Sequence, residues 1–417
     1  MKNKVIYLGA LLLAVVLMSG INSCKKDTAA AAFTLKSLDA GSVDLNGAIA
    51  ATTVPLKPTI VAIFYTNVDA TTATNANITL TRDYDNVDIP LTITASLSSV
   101  NIVPTEALAS GALYKLNIGA GLKSADGQVL TPILRTFTTL GTFAPSGAVA
   151  YWNFDDNVKD QVGTFNPSAS LFITYAAGRN TAAGKAASFN GTTSIIEIPN
   201  GDVLMNTHDF TLSFWFKAAN SGKGHFIIGL AAFYGFQFEL SSDFKTFKMP
   251  VQFDYGDGTS GTGGDLAYNG DGKTKDNGGW KGTTFNKENT ALADVLQDKW
   301  AHITYVYNSV TKERMMFLNG ELVIKQDHNL WTDDAGVPTK EAGIVGLKYA
   351  GVAPETVNEL AFGFIQSRAG TLWDTETWGG YDFPGANHFQ GLLDDVRIYH
   401  KALTANEIDL MYKSEKP

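Results

Sequence analysis

Seven consecutive residues, Phe210-Thr211-Leu212-Ser213-Phe214-Trp215-Phe216, limit what this chain can fold into more than any other stretch. Their even positions are all apolar, and the odd ones are Thr, Ser and Trp. Side chains of a strand alternate faces with a period of two, so Phe210, Leu212, Phe214 and Phe216 share one face and Trp215 takes the other. A sheet face this apolar must be buried against a second layer, which predicts the inter-sheet core of a β-sandwich. Trp300-Ala301-His302-Ile303-Thr304-Tyr305-Val306-Tyr307 reads the same way. Met315 to Val323 reads as a hairpin with Asn319-Gly320 at its tip, since both residues of the favoured tight turn need a positive φ. Leu392 to Tyr399 gives a closing strand. A short helix is then expected from the cap Thr404 to about Tyr412, with Glu407 completing a capping box.

Upstream, short alternating runs are separated by turn residues between Phe33 and Leu140. Strands are expected at 59–65, 78–81, 91–94, 99–104, 113–118 and 136–139, a spacing that fits an immunoglobulin-like sandwich. Gly141 to Gly147, with Pro145, reads as a linker, leaving residues 148–417 for the second, larger sandwich. Composition agrees: hydrophobic residues make up 45% of 417, so the chain can bury a core and is not disordered. Its 40 Gly and 11% aromatics lean towards β structure. The formal net charge is −9, and no basic run exceeds Lys25-Lys26, which argues against nucleic acid as a partner. A single cysteine rules out an internal disulfide framework or a cysteine-rich zinc site.

That cysteine, Cys24, follows a segment that reads as an address. Lys2 and Lys4 precede an apolar run from Val5 to Met18, too short for a comfortable membrane span of about 20 residues. Ile21-Asn22-Ser23-Cys24 resembles a bacterial lipobox, with Asn22 where a small residue is usual. The resemblance implies a signal peptide over residues 1–23, lipidation of Cys24, a tether over residues 24–32 and attachment to a membrane through the lipid anchor. Two or more acyl chains anchor stably where one does not. Cys24-Lys25-Lys26-Asp27 looks like the start of outer-membrane lipoproteins of polysaccharide-degrading Gram-negative bacteria. That implies the outer membrane, facing the cell surface, with other outer-membrane proteins as partners.

Two further resemblances cover nearly all of the rest. Phe64, the Val68-Asp69-Ala70-Thr71-Thr72 turn, Pro104, Leu108-Ala109-Ser110-Gly111-Ala112-Leu113-Tyr114, Asp126-Gly127 and Phe137-Thr138-Thr139 resemble the bacterial Ig-like domain, which implies a spacer without a site of its own. Tyr151-Trp152-Asn153-Phe154-Asp155, Ser188-Phe189-Asn190-Gly191, Ile195 to Pro199, Phe210 to Phe216, Trp300-Ala301-His302, Phe317 to Gly320 and Gly391 to Tyr399 resemble a laminin-G-type member of the concanavalin A-like lectin/glucanase superfamily. The fold expected is therefore all-β, an N-terminal Ig-like β-sandwich followed by a concanavalin A-like (laminin-G) jelly roll. That fold hosts lectins, adhesion modules and hydrolases alike, so function must come from a site.

Retaining glycoside hydrolysis needs two carboxyl groups about 5–5.5 Å apart, which on one strand means positions i and i+2. Glu239 stands alone, Asp374 and Glu376 fall in an expected solvated loop, and adjacent Asp394 and Asp395 are expected on opposite faces. No Gly-x-Ser-x-Gly elbow, His-Glu-x-x-His zinc motif or phosphate loop occurs. No catalytic residue is assigned. His225, His328 and His388 read as surface or ligand-edge residues. Trp152, Trp215 and Trp300 lie in expected strands and read as structural, whereas Trp280, Trp331, Trp373 and Trp378 lie in Gly- and Asp-rich loops. Aromatic planes stack on the C–H faces of sugar rings, beside polar groups for the hydroxyls. Trp280, Trp331, Trp373, Trp378 and Tyr381 are accordingly the candidates for carbohydrate binding. The laminin-G resemblance implies one Ca²⁺, with Asp155, Asp160 and Asp394 as ligands by their landmarks. The Gly-rich stretch bearing Asp254, Asp257, Asp265, Asp271 and Asp276 reads as a solvated loop. The leading expectation is a cell-surface glycan-binding lipoprotein that makes and breaks no bond. A protein-binding adhesion module and a divergent glycoside hydrolase or lyase are the alternatives.

Overall fold

The computed structural model describes residues 31–269, 283–285 and 292–417. Residues 33–139 form two five-stranded sheets face to face. One runs Val43–Asp44, Leu35–Ala40, Ile60–Phe64, Ser99–Pro104, Leu91–Ser96; the other runs Ala51–Val54, Ile133–Thr139, Leu113–Ile118, Ile78–Arg82, Val87–Asp88. All pairs are antiparallel except Ala51–Val54 with Ile133–Thr139. Ile60, Ala62 and Phe64 alternate inward and meet Leu80, Tyr114, Leu116 and Phe137 between the sheets.

The second sandwich stacks a nine-stranded sheet on a seven-stranded one. Phe210–Ala218 lies in the middle of the larger sheet, between Ala301–Asn308 and Gln390–Tyr399. As the alternation predicts, Phe210, Leu212, Phe214 and Phe216 are fully buried in the inter-sheet core. The hairpin of Glu313–Leu318 and Glu321–Asp327 turns at Asn319 (φ 52°) and Gly320 (φ 80°). Trp300, expected within the strand, sits just ahead of Ala301–Asn308 and is half-buried.

Trp215 faces outward from the sheet yet is also fully buried, because the C-terminal helix Ala405–Glu415 covers it. Thr404 and Glu407 form the expected capping box, and the helix runs three residues beyond Tyr412. The Tyr412 ring stacks on Trp215 at 5.8 Å, and the Trp215 indole N–H donates to Glu415 Oε2 at 2.8 Å. Beside them, Arg179 Nη1 lies 2.7 Å from Asp394, Arg179 Nη2 contacts Asp395, and Arg397 Nη2 lies 2.8 Å from Glu415 Oε1 and 3.1 Å from Asp395. The expectation that Asp394 and Asp395 face opposite ways does not hold. The register shifts opposite them between Ser213 and Trp215, and Asp395 takes φ 46°, so a bulge turns both carboxylates towards Arg179.

The helix also meets the first sandwich. Asn406 donates to the Tyr84 carbonyl at 3.1 Å, Ser414 donates to the Phe143 carbonyl at 3.2 Å, and the Tyr84 and Phe143 rings pack edge to face at 5.1 Å. Leu403, Ile408 and Met411 join one continuous apolar cluster with the first sandwich's core.

Candidate functional site

The strand Phe236–Leu240 alternates cleanly. Phe236, Phe238 and Leu240 enter the inter-sheet core, so Gln237 and Glu239 stand on the other face of the seven-stranded sheet. Lys248 lies directly across from Glu239 on the next strand, Phe247–Met249, and its Nζ is 2.7 Å from Glu239 Oε1. Lys248 also reaches Asp265 at 2.9 Å, and the Gln237 amide nitrogen donates to Glu239 Oε2 at 2.9 Å. This polar row is the floor of a cleft of 740 Å³.

Residues 363–389 build one wall. They cross the outer face over Ala361 and Gly229, where a β-carbon on Gly229 would come within 2.0 Å of the Ile365 carbonyl oxygen. Backbone bonds pin them: Gly363 N–H donates to the Ile227 carbonyl, Ala232 N–H to Ile365, and Phe226 N–H to Asn387. A small second core of Ile195, Phe226, Phe364, Ile365 and Ala386 lies beneath. Tight turns from Thr371 to Gly380 then bring Trp373 and Trp378 together, with ring centroids 4.9 Å apart. Trp378 meets Phe226 at 6.1 Å and Trp373 meets Phe233 at 6.2 Å, so four aromatic rings line the cleft beside the polar floor. Trp378 and Phe233 are each 37% exposed.

The other candidates are placed differently. Tyr381 lies on the same loop but lines a separate cavity of 420 Å³ with Arg368 and Asp374, and its hydroxyl donates to the Thr193 carbonyl. Trp331 is 7% exposed and packs on His328 at 4.7 Å, away from the cleft. Trp280 and Cys24 lie outside the described residues, as do Asp271 and Asp276. His225, His328 and His388 are buried rather than at the surface. Only His225 reaches the cleft, where burial pushes its imidazole down to about 4 and keeps it neutral. Gln237, Glu239, Lys248, Phe226 and Phe233 were not among the sequence expectations for the site.

The three aspartates expected to hold calcium have separate partners. Asp160 accepts backbone N–H groups from Tyr151, Val162, Thr164 and Phe165. Asp155 accepts from the Lys185 backbone and the Asn153 amide, and Asp394 pairs with Arg179. Among the described residues, no group of three or more His, Cys, Asp and Glu side chains gathers in a way that could hold a metal ion.

Compared with known families, residues 43–139 match a bacterial Ig-like domain, and residues 190–338 match the concanavalin A-like lectin/glucanases superfamily. No curated protein matches the chain. Among solved structures, the receptor binding domain of botulinum neurotoxin D is 15% identical with a TM-score of 0.39, covering 64% of this chain and 52% of that one. The botulinum neurotoxin type G receptor binding domain is 12% identical with a TM-score of 0.37, covering 64% and 51%. The binding domain of botulinum neurotoxin DC in complex with SialylT is 12% identical with a TM-score of 0.38, also covering 64% and 51%. The chain spans about half the length of these structures.

Proposed function

We propose that this protein binds glycans, and that its second sandwich holds a saccharide in the 740 Å³ cleft without cleaving it. The observation that carries the reading is the pairing of Trp373 and Trp378 over a floor of Gln237, Glu239 and Lys248. An apolar ring face next to hydrogen-bonding groups suits a sugar, which presents C–H faces and hydroxyls together. Isothermal titration against a panel of soluble oligosaccharides tests it. At least one is expected to bind, and Trp378→Ala is expected to weaken it by about tenfold or more, a loss of about 1.4 kcal/mol. Absence of binding across the panel sinks the reading.

Glu239 is the one carboxylate among the described residues that line the cleft, and the residue two positions before it on the same face is Gln237. Retaining hydrolysis would ask for a second carboxylate about 5–5.5 Å away. This supports binding over catalysis, and no new reducing ends are expected on prolonged incubation. Since Glu239 is already engaged with Lys248, chelating divalent cations is expected to leave the affinity unchanged.

The lipobox-like residues around Cys24 add a proposed address, a lipid anchor holding the sandwiches at the outer membrane. Cys24→Ala is expected to move the protein from the membrane fraction to the soluble one.

A further inference from the structure

Gln237 is 6% exposed, and its carbonyl oxygen has no hydrogen-bond partner among the described residues. Its orientation is dictated by its neighbour. A carboxylate only accepts, so the amide nitrogen must face Glu239, and the carbonyl is left turned away from it. The indole nitrogen of Trp373 is likewise buried without a partner among the described residues, and it lines the same cleft. His225 Nε2 is a further buried group of the lining without a partner among the described residues, and since its Nδ1 accepts from the Gln390 N–H it is a donor. The cleft therefore carries one such acceptor, on Gln237, and two such donors, on Trp373 and His225.

Its charges, by contrast, are all engaged. Lys248 is held between Glu239 and Asp265. Lys223 donates to the carbonyls of Gly191 and Pro384, each at 3.2 Å. Over Lys223, Lys248, Glu239 and the neighbouring Asp265 the formal charges sum to zero, both carboxylates lying on Lys248, which disfavours an ionic ligand. A ligand carboxylate could not donate to Gln237 and would approach Glu239 unfavourably. A ligand ammonium could not accept from Trp373. A hydroxyl both donates and accepts.

From this arrangement we infer that the cleft takes an uncharged saccharide, with a ring hydroxyl donating to the Gln237 carbonyl and the Trp373 indole N–H donating to a sugar oxygen. Gln237 is then a specificity-determining residue of the glycan site, and the inference rests on the glycan-binding reading above.

Titration calorimetry of the full chain decides it, with neutral gluco-, manno-, xylo- and galacto-oligosaccharides alongside galacturonate and alginate oligomers, at low and high salt. The expected result is binding of a neutral oligosaccharide with an affinity that salt does not change. Gln237→Leu, which keeps the shape and removes the acceptor, is expected to weaken that binding by about tenfold or more with an unchanged melting temperature. Preference for a uronate oligomer with salt-sensitive affinity overturns the inference. So does a Gln237→Leu protein that binds as the native one does. If Trp378→Ala abolishes binding while Gln237→Leu does not, the glycan reading stands and the role of Gln237 falls. If no oligosaccharide binds, both fall.

Discussion

The loop bearing Trp373 and Trp378 can lie against the sheet only because Gly229 has no side chain, its hypothetical β-carbon being 2.0 Å from the Ile365 oxygen. Gly229→Ala must lift that loop or distort the strand. It is expected to cost about 1–3 kcal/mol of stability and to lose oligosaccharide binding, read by denaturant melts and calorimetry on the same protein. Trp378→Ala is expected to leave the strand and loop backbone in place and to remove two ring contacts of about 0.5–1.5 kcal/mol each, with binding weakened by about tenfold or more. At this scale the sequence was half legible. Loop composition singled out Trp373 and Trp378, which do meet at the cleft. It singled out Trp331 equally, and a loop tryptophan carries no sign of whether it faces a groove or, as here, a histidine in the core. Gln237 and Glu239 were readable from Phe236, Phe238 and Leu240 on the opposite face. Their significance depends on Lys248 and on a loop more than a hundred residues away, which no local pattern encodes.

Three carboxyl groups share two guanidiniums beneath the C-terminal helix. Arg179→Met removes one and leaves buried carboxylates uncompensated, which is expected to destabilise the protein by about 3–5 kcal/mol in chemical denaturation. The same cluster gives a signed pH dependence. Burial, and then the charge of Asp395, push the Asp394 carboxyl up to about 9, whereas Arg397 and Arg179 hold Asp395 below its usual range despite its burial. Asp394 therefore binds a proton in the folded state that the unfolded chain releases near pH 4. Its contribution is complete below about pH 4 and is lost as pH rises through about 9. Asp394→Asn is expected to flatten the alkaline fall in stability, measured as denaturation midpoints across that range. The helix itself was legible, since Thr404 and Glu407 signal its start. The bulge at Asp395 was not. An alternating pattern carries no mark of one extra residue, and the bulge is what turns two adjacent aspartates to one arginine.

Across the whole molecule, the two sandwiches are joined by more than a linker. Tyr84 and Phe143 meet the helix that covers Trp215, within one continuous apolar cluster. Domain pairs with small polar interfaces move freely, and apolar ones do not. Replacing both Tyr84 and Phe143 by Ala is expected to broaden the distance distribution between a fluorophore pair, one on each sandwich, while leaving the affinity of the cleft unchanged. The two-sandwich layout was the most legible level, because alternation and turn residues repeat across the chain, and the Ig-like and concanavalin A-like profiles agree with it. How the sandwiches dock was hidden, since Tyr84 and Asn406 are 322 positions apart. One feature of the larger sheet bears on how the protein is made. Gln390–Tyr399 is the last strand, yet it sits inside the sheet, bonded to Lys185–Asn190 on one side and Phe210–Ala218 on the other. A ribosome delivers these residues late, so the second sandwich holds an open seam through most of its synthesis. The first sandwich, whose strands are all complete by Thr139, can close long before that seam does.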